Sequence, residues 1–486
     1  MSPRLVAYIL AASTLALPAT AADVTDRQAH ALEQQIRTWL TSTLGTQVKL
    51  SERPIQIEPK GDQYRMTLPI TGGGTAISAT ARPLDSGIWA LDQVAFSLPA
   101  HFTVMQPLPP KEGEPQKPRP VTYTVDALAQ EGHAVWDPSF RTASTISLST
   151  TGLRSEAVGD GLHQTTTLES SKSTSTLQPA EPGRVDLQSD GSGDAYSLVS
   201  EGGPLGPIHV TMQRIQANAT LTGLSRVRGV EALRALISMA LSAPATPEAG
   251  EPKSGRPPMD MVAVRALLES LRDAASAMTV NETAEGFAVS VGAFNLAADT
   301  ARFGMDIKTV KGVLETRMDV GVEGIAPQDG VFAALVPRSV TLRPVFTGAA
   351  TKDLLDYALA GTVPGSPNQA LLKALFSHGG LDAGLESASV VLGDTTLTAV
   401  GSVHFAAPAQ QTATAEITAV NFDNLVRTAT ALPMAQQAMP VLLLIKGLGR
   451  SVGEKLVWSV AYQAGRVSVN GTDLSALTGA GPKKSP

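Results

Sequence analysis

The stretch Gly449-Arg-Ser451-Val-Gly453 matches the G-x-S-x-G pattern of a serine nucleophile. In α/β-hydrolases this pattern forms a strained turn between a strand and a helix, and an acid and then a histidine follow the serine along the chain. The last histidine of this chain is His404, which precedes Ser451. A triad in hydrolase order is therefore excluded, and we interpret the stretch as a turn that ends a helix.

The segment Asp190-Gly-Ser-Gly-Asp194 has acidic residues at the spacing of a calcium loop. An EF-hand also needs further oxygen ligands, a terminal glutamate and a helix on each side. These are missing, and the segment follows a strand-like run. We therefore predict a hairpin turn rather than a calcium site.

Motifs for other chemistry are not found. The seven histidines are widely separated, which excludes zinc sites built from one short segment. The sequence has no P-loop, dinucleotide-binding glycine motif or kinase motif. We predict a non-enzymatic protein with no catalytic residue, metal or cofactor. A net charge of −6 without a strongly basic segment argues against nucleic acid as a partner.

The N-terminus has the features of a secretory signal over residues 1–22. Arg4 gives a positive start, Leu5–Leu17 is an apolar run too short to span a bilayer comfortably, and Ala19 and Ala21 form an A-x-A cleavage pattern. We predict export to a bacterial periplasm, with an uncleaved membrane anchor as the alternative. The chain contains no cysteine, so no disulfide is expected.

The elements around these motifs are mostly strands. From Phe140 to Leu221, four short runs rich in Thr, Ser, Val and Ile alternate with period two and end at Gly, Pro or Asp. This pattern predicts an antiparallel meander. One buried face is predicted to contain Ile146, Leu148, Val185, Leu187, Ile208, Val210 and Met212.

The whole chain predicts an α+β fold with large curved antiparallel β-sheets (meanders) and amphipathic helices packed on one face. The expected order is a signal peptide (1–22), a helix plus strands (23–104), a Pro-rich linker (105–120), the meander plus a helix (121–243), a disordered loop (244–258), a helix, strands and a helix pair (259–380), a second meander with helices (381–478) and a disordered tail (479–486).

Apolar helices follow the first meander and recur near the C-terminus. Ser225–Ala243 and Met261–Met278 are predicted to form a helical hairpin, and Met434–Leu448 another apolar helix. Two arrangements remain open: the helices seal the sheet, or they cap an open apolar cleft. In the second case the lining is predicted to include Leu236, Leu267, Leu271, Val441, Leu443 and Leu444.

Three C-terminal segments occur in a recognisable order: a strand from Gly393 to Phe405, the strand-to-helix run Val420-Asn-Phe-Asp-Asn-Leu425, and the hairpin run Gly465-Arg-Val-Ser-Val-Asn470-Gly471. This order resembles the ends of bacterial envelope proteins with an AsmA-like, β-rich plan. The resemblance implies a periplasmic protein with a long curled sheet whose inner face shields acyl chains. The chain differs from that family in being short and in lacking an obvious membrane anchor.

Three functions are consistent with these features. The first is a non-enzymatic envelope protein that binds a lipid or another apolar ligand, with peripheral membrane contact. The second is a scaffold that binds an envelope protein through an edge strand or the helical hairpin. The third, ranked last, is a hydrolase with a histidine-independent site.

Overall fold

A computed structural model gives the fold of the protein. It describes residues 24–44, 55–69, 76–84, 88–107, 118–137, 139–140, 142–202, 206–242, 261–270, 272, 274–292, 294–326, 335–361, 376, 379–407, 410–430 and 439–474. The predicted signal, the loop 244–258, the tail 479–486 and most of the predicted helix 368–377 lie outside these residues.

Strands make up most of the described elements. They are β1 (Gln56–Lys60), β2 (Gln63–Pro69), β3 (Ala76–Pro83), β4 (Trp89–Phe96), β5 (Ala100–Pro107), β6 (Pro118–Asp126), β7 (Ala129–Asp137), β8 (Thr142–Gly159), β9 (Leu162–Pro179), β10 (Arg184–Glu201), β11 (Ile208–Ser225), β12 (Ala277–Val291), β13 (Phe294–Val310), β14 (Val313–Glu323), β15 (Ser339–Ala350), β16 (Leu381–Leu392), β17 (Thr395–Ala407), β18 (Gln410–Val420), β19 (Arg450–Val452), β20 (Lys455–Gln463), β21 (Arg466–Val469) and β22 (Thr472–Asp473). The helices are α1 (Asp26–Leu44), α2 (Arg226–Ser242), α3 (Met261–Ser270), α4 (Thr351–Gly361), α5 (Phe422–Thr430) and α6 (Met439–Leu448).

The chain divides into two compact units, Met1–Ser276 with Val289–Phe294, and Ala277–Ala288 with Asn295–Pro486. Neighbouring strands pair antiparallel throughout the described registers, for example β8 with β9 and β16 with β17. The predicted fold class, with large curved antiparallel sheets, is therefore confirmed. The packing of the helices on one face stays a prediction.

The first unit begins with a sealed core. Helix α1 buries Leu32 and Ile36 against Tyr64, Met66 and Trp136 of the strands. These side chains recur at helical spacing on α1 and at alternate positions on the strands, as expected for two amphipathic elements that cover one another. The helix closes this part of the sheet.

The first turn of α1 is capped by Thr25 and bonded to the sheet through Gln28. The backbone N–H of Gln28 donates to Oγ1 of Thr25 at 3.4 Å, which is the expected N-cap contact. The Gln28 side chain accepts a hydrogen bond from the Tyr64 hydroxyl at 3.0 Å, which links the helix to the sheet. Burial raises the pKa of Tyr64, and a hydrogen bond at the Thr25 backbone partly opposes this.

The ends of the predicted Pro-rich linker are strands. Met105 pairs with Pro120 and Pro107 with Pro118, in a hairpin of β5 and β6. Residues 105–107 and 118–120 of the predicted linker are therefore strand, and residues 108–117 lie outside the described residues. Pro118 and Pro120 are tolerated because the pairing of β6 with β8 begins at Val121, so neither proline has to donate a hydrogen bond on that side.

Strands β8 to β11 form the predicted meander, and each is 18 residues long. Part-way along each strand, the more buried side chains switch between even-numbered and odd-numbered positions. The switch lies beside Gly152 (φ 62°) on β8 and beside Ala195 (φ 52°) on β10. A Cβ atom added to Gly193 would lie 3.1 Å from Cδ1 of Leu168. The odd-numbered Gly193 on β10 and the even-numbered Leu168 on β9 therefore face the same side of the sheet. On β8 and β10 a left-handed residue accompanies the change, which keeps one face apolar over the strand length, whereas β9 and β11 change without one.

The segment Asp190–Asp194 is not a turn, which corrects the sequence prediction. It lies inside β10, where Asp190 pairs with Thr174 and Asn218. The Asp194 carboxylate accepts hydrogen bonds from Ser170 Oγ at 2.8 Å and Arg214 Nε at 3.3 Å. These cross-strand bonds accommodate a glycine-rich run that local rules assign to a turn.

Helices α2 and α3 follow the meander at one end of β10 and β11. Ser225 N donates to Ala274 O at 2.7 Å, and Arg226 N donates to Gly183 O at 3.1 Å. Helix α3 ends at Ser270, and Met278 lies in β12, so the predicted helix Met261–Met278 is too long. The β-branched residues Thr279 and Val280 favour the strand.

In the second unit, β13 to β18 and β20 are antiparallel neighbours in that order. Helices α5 and α6 cover the β17–β20 end, where Phe422 and Trp458 contact edge to face at 5.5 Å between ring centroids. Trp458 Nε1 donates to the carbonyl of Ile445 at 2.7 Å. None of the described helices is long and apolar enough to cross a bilayer.

Candidate apolar ligand surface

One face of the second unit's sheet is apolar across seven strands. Residues directly opposite one another in antiparallel strands point to the same face. The register connects one residue from each strand into a row that we call the apolar row: Phe303, Val320, Leu342, Ala388, Ala399, Ile417 and Trp458. A second row, four residues along β13, runs through Ile307, Thr316, Phe346, Ala383, Val403, Ala413 and Tyr462.

The opposite face carries charges, and we call it the charged face. Asp319 accepts from Arg302 at 3.3 Å and from Arg343 at 3.0 Å. Glu315 contacts Lys308 at 3.1 Å and Arg317 at 3.3 Å. These side chains alternate along β13 and β14 with members of the apolar row and its neighbours. The two faces are therefore chemically distinct, and the charged one is suited to water.

The apolar row is covered at one end. Leu397, Ile417, Leu456 and Val460 pack with Phe422 and Trp458 in a cluster under α5 and α6. Among the described residues, no buried cluster includes the β13–β16 end. There Leu342 is 41% exposed and Phe346 42% exposed, and Phe303 and Val320 are half-buried.

The chemistry of the open end suits an extended hydrocarbon. Apart from Thr316, its side chains along the rows are aliphatic or aromatic, and none is charged, whereas an acidic or cationic ligand would need a partner of opposite charge. From β13 to β16, where it is open, the row crosses three strand spacings, or about 14 Å at about 4.8 Å each. That length accommodates a segment of an acyl chain laid across the strands.

Five of the six predicted lining residues lie on three helices. Leu236 lies in α2, with its side chain outside the described set; Leu267 is half-buried in α3; and Leu271 lies outside the described residues. Val441, Leu443 and Leu444 are exposed on α6. The first three belong to the first unit and the last three to the second, so a single groove lined by all six stays a prediction.

The sequence analysis did not predict the two rows, although the strands that form them show an alternating pattern. The run Phe303-Gly-Met305-Asp-Ile307 and the run Met318-Asp-Val320-Gly-Val322 alternate strictly between apolar and polar or small residues. Such alternation predicts a half-buried strand. Only the register shows that the alternate residues of seven strands align in one row.

Histidine–carboxylate pairs occur on exposed strands. His133 Nδ1 lies 3.0 Å from Asp92 and its Nε2 3.3 Å from Glu131. The hydrogen bond with Asp92 raises the pKa of His133, burial opposes this, and Glu131 adds to the increase. Among the described residues, no three His, Asp or Glu side chains are placed to share a metal ion.

The G-x-S-x-G stretch does not form a nucleophile turn. Ser451 lies in β19, which follows α6, so the order is helix then strand rather than strand then helix. Ser451 does not have a positive φ, and it pairs with Leu456 in an ordinary antiparallel register. The turn lies just before it, where Gly449 N donates to Lys446 O at 3.0 Å.

Comparisons with known proteins give no assignment. No family model, no curated protein and no solved structure matches this chain. The AsmA-like resemblance therefore stays a prediction, and the functional argument rests on the geometry of the apolar row.

Proposed function

We propose that this is a non-enzymatic periplasmic envelope protein that binds or shields a lipid acyl chain on the apolar face of the second unit. The observation that supports this most directly is the apolar row, which continues beyond the cover provided by α5 and α6. The predicted secretory signal supports the compartment.

The driving force is the removal of apolar surface from water. Each buried methylene contributes about 0.8 kcal/mol, so a chain lying over several strands gains affinity without any polar contact. Such a site selects for length and apolar character rather than for a particular headgroup. The charged face, on the other side of the same strands, keeps this surface in solution.

A fluorescent fatty acid tests the proposal. We expect the wild-type chain to bind it and the double variant Leu342→Gln, Phe346→Gln to bind it about tenfold more weakly, because two exposed apolar contacts are lost. The matched control is Val400→Gln, since Val400 lies on the charged face of the same sheet and is 47% exposed. This variant should bind the probe as the wild type does.

Mass spectrometry gives an independent readout. Protein purified from its own cells is expected to carry lipid, and the Leu342→Gln, Phe346→Gln protein to carry less. Absence of lipid from the wild type, together with equal probe binding by all three proteins, would refute an acyl-binding function.

A scaffold function is the second candidate, since the α2–α3 hairpin exposes Val227 and Val262 to solvent. A protein partner bound there would bury both valines. Pull-down from envelope extract with Val227→Gln, Val262→Gln should then lose a partner that the wild type retains. Retention of every partner by the variant would argue against this function.

A further inference from the structure

The second row offers a longer path than the open end of the apolar row. From Phe346 on β15 it runs through Ala383, Val403 and Ala413 to Tyr462 on β20, which is four strand spacings, or about 19 Å at about 4.8 Å each. Phe346 is 42% exposed, and the other four residues are half-buried. Within the described chain, Val403 and Tyr462 do not belong to the cluster under α5 and α6 that covers the apolar row. The second row therefore stays accessible as far as β20.

The β20 end of the second row has two polar side chains. Gln411 lies two residues from Ala413 on β18, so it shares the apolar face with Tyr462. Gln411 Nε2 donates to the Tyr462 hydroxyl at 3.4 Å. Because a phenol hydroxyl both accepts and donates, this bond leaves the Tyr462 proton available to an acceptor on a ligand. The path from Phe346 therefore ends at a hydrogen-bond donor.

The described strands supply no positive charge beside this donor. Every lysine and arginine of β13–β18 and β20 lies at a register position of the charged face; they are Arg302, Lys308, Arg317, Arg343 and Lys455. A carboxylate or phosphate placed beside the Tyr462 hydroxyl would therefore lose water without gaining a countercharge. An uncharged carbonyl needs only the hydrogen bond. The chemistry of this end therefore favours a neutral acceptor.

We propose that the second row binds an esterified acyl chain, with the ester carbonyl at Tyr462 and Gln411 and the hydrocarbon directed across the strands towards Phe346. This inference rests on the proposed acyl-binding function and adds a preference that apolar contact alone does not supply. The small side chains of Ala383 and Ala413 leave room for hydrocarbon between the two aromatic rings. The hydrocarbon gains affinity along the row, whereas the hydrogen bond distinguishes the ester from an unsubstituted chain of the same length.

Three fluorescent probes that share one alkyl chain test this preference. The first ends in a methyl group, the second in a methyl ester and the third in an ionised carboxylate. We expect the full-length wild-type chain to bind the ester about fivefold more tightly than either of the others, because only the ester gains the hydrogen bond without burying a charge. Tyr462→Phe keeps the ring and removes the hydroxyl, so it should abolish the ester's advantage and leave binding of the hydrocarbon unchanged. The matched control Tyr123→Phe, in the first unit, should bind all three probes as the wild type does.

Val403 tests whether the chain crosses the sheet as far as β20. Val403→Gln should weaken binding of all three probes about fivefold, because it places an amide in the apolar path. Its matched control is Val400→Gln on the same strand, since Val400 lies on the charged face and is 47% exposed. Val403 is half-buried and belongs to none of the buried clusters of the described residues, so the substitution should preserve the fold, which circular dichroism checks.

The outcomes separate this inference from the function on which it rests. If the wild type binds ester and hydrocarbon equally, or if Tyr462→Phe keeps the ester's advantage, the ester preference is wrong while acyl binding on the sheet stands. If Val403→Gln binds every probe like the wild type and Leu342→Gln, Phe346→Gln does not, the ligand stays at the open end and does not reach Tyr462. If the wild type binds none of the probes, both proposals fall. Lipid extracted from protein purified from its own cells should carry its acyl chains as esters, and free fatty acid alone would contradict the inference.

Discussion

The sealed core of the first unit and the open apolar row of the second are built from the same alternating strands. In the first, α1 adds Leu32 and Ile36 to a cluster that includes Trp136. In the second, α5 and α6 reach Ile417 and Trp458, and the described residues form no such cluster over Leu342. The two regions therefore differ in whether a helix packs over the apolar face, and not in the pattern of their strands.

Apolar side chains in the two regions are therefore expected to contribute differently to folding and to ligand binding. A sheet face covered by a helix contributes to folding, and its side chains are fixed by packing. A face that stays accessible contributes less to folding and remains available to a ligand. The proposed acyl site is therefore the place where apolar substitutions should change binding more than stability.

The largest expected effect is in the sealed core. Leu32 is 1% exposed, so Leu32→Ala should lower the free energy of unfolding by about 2–5 kcal/mol, because it leaves a cavity in a packed cluster. Leu342→Ala makes the same chemical change in the open row and should cost less than about 1 kcal/mol. Urea unfolding followed by circular dichroism measures both. Equal losses would mean that the row is buried in solution and would remove the contrast.

The next effect concerns how the meander keeps its apolar residues on one face. Gly152 has φ 62°, and a Cβ atom there would lie 2.5 Å from the Leu128 side chain. Gly152→Ala should therefore cost about 1–2 kcal/mol from the left-handed backbone alone. Gly191 is the control, since a Cβ atom there meets nothing closer than 3.8 Å.

Thermal unfolding compares these two glycine variants. Gly191→Ala should be neutral or slightly stabilising, because alanine restricts the unfolded chain. If both substitutions cost the same, the left-handed residue at 152 is not what allows the change of parity in β8.

A smaller effect is expected where His133 pairs with Asp92 on the exposed side of the first unit's strands. The hydrogen bond with Asp92 raises the folded pKa of His133 above the ordinary 6.5. The protonated pair therefore stabilises the fold fully below pH 6.5, and this contribution is lost as the pH rises through the folded pKa. An NMR titration should place the His133 midpoint above 6.5 and that of Asp92→Asn lower. A wild-type midpoint at or below 6.5 would contradict the pairing.

The smallest effect concerns Glu156 on β8. The hydrogen bond from His163, at 2.9 Å, lowers the pKa of this carboxyl below its ordinary 4.5. Its contribution to stability is present above pH 4.5 and is lost as the pH falls through the folded pKa. In a carboxyl titration by NMR, His163→Gln should move the Glu156 midpoint upward. An unchanged midpoint would show that the pair does not form in solution.

Local patterns predicted the elements well where propensity and burial agree. The meander, α1, α2 and the C-terminal strands follow from period-two and helical spacing. The errors occur where tertiary contacts override local preference. Gly191 and Gly193 lie inside β10 because neighbouring strands supply the hydrogen bonds, and Pro118 and Pro120 join β6 beyond its pairing with β8.

The candidate site was only partly visible in advance. Val441, Leu443 and Leu444 were identified as apolar residues of a C-terminal helix, and the structure places them on the exposed side of α6. The row through Leu342 could not be found from spacing, because its members are separated by loops of different length. A cross-strand register depends on turns and bulges, such as the shift between Leu385 and Ala388, that no local rule fixes.

The sequence by itself determined the class of this protein: strand-rich, without cysteine, and without a recognisable catalytic set. The tertiary structure decided which apolar residues are buried and which remain accessible. The physical reason is that alternation fixes the side of a strand on which a residue lies, whereas burial depends on whether another element covers that side. Helix α1 does so for Trp136, and within the described chain no helix does so for Leu342 and Phe346.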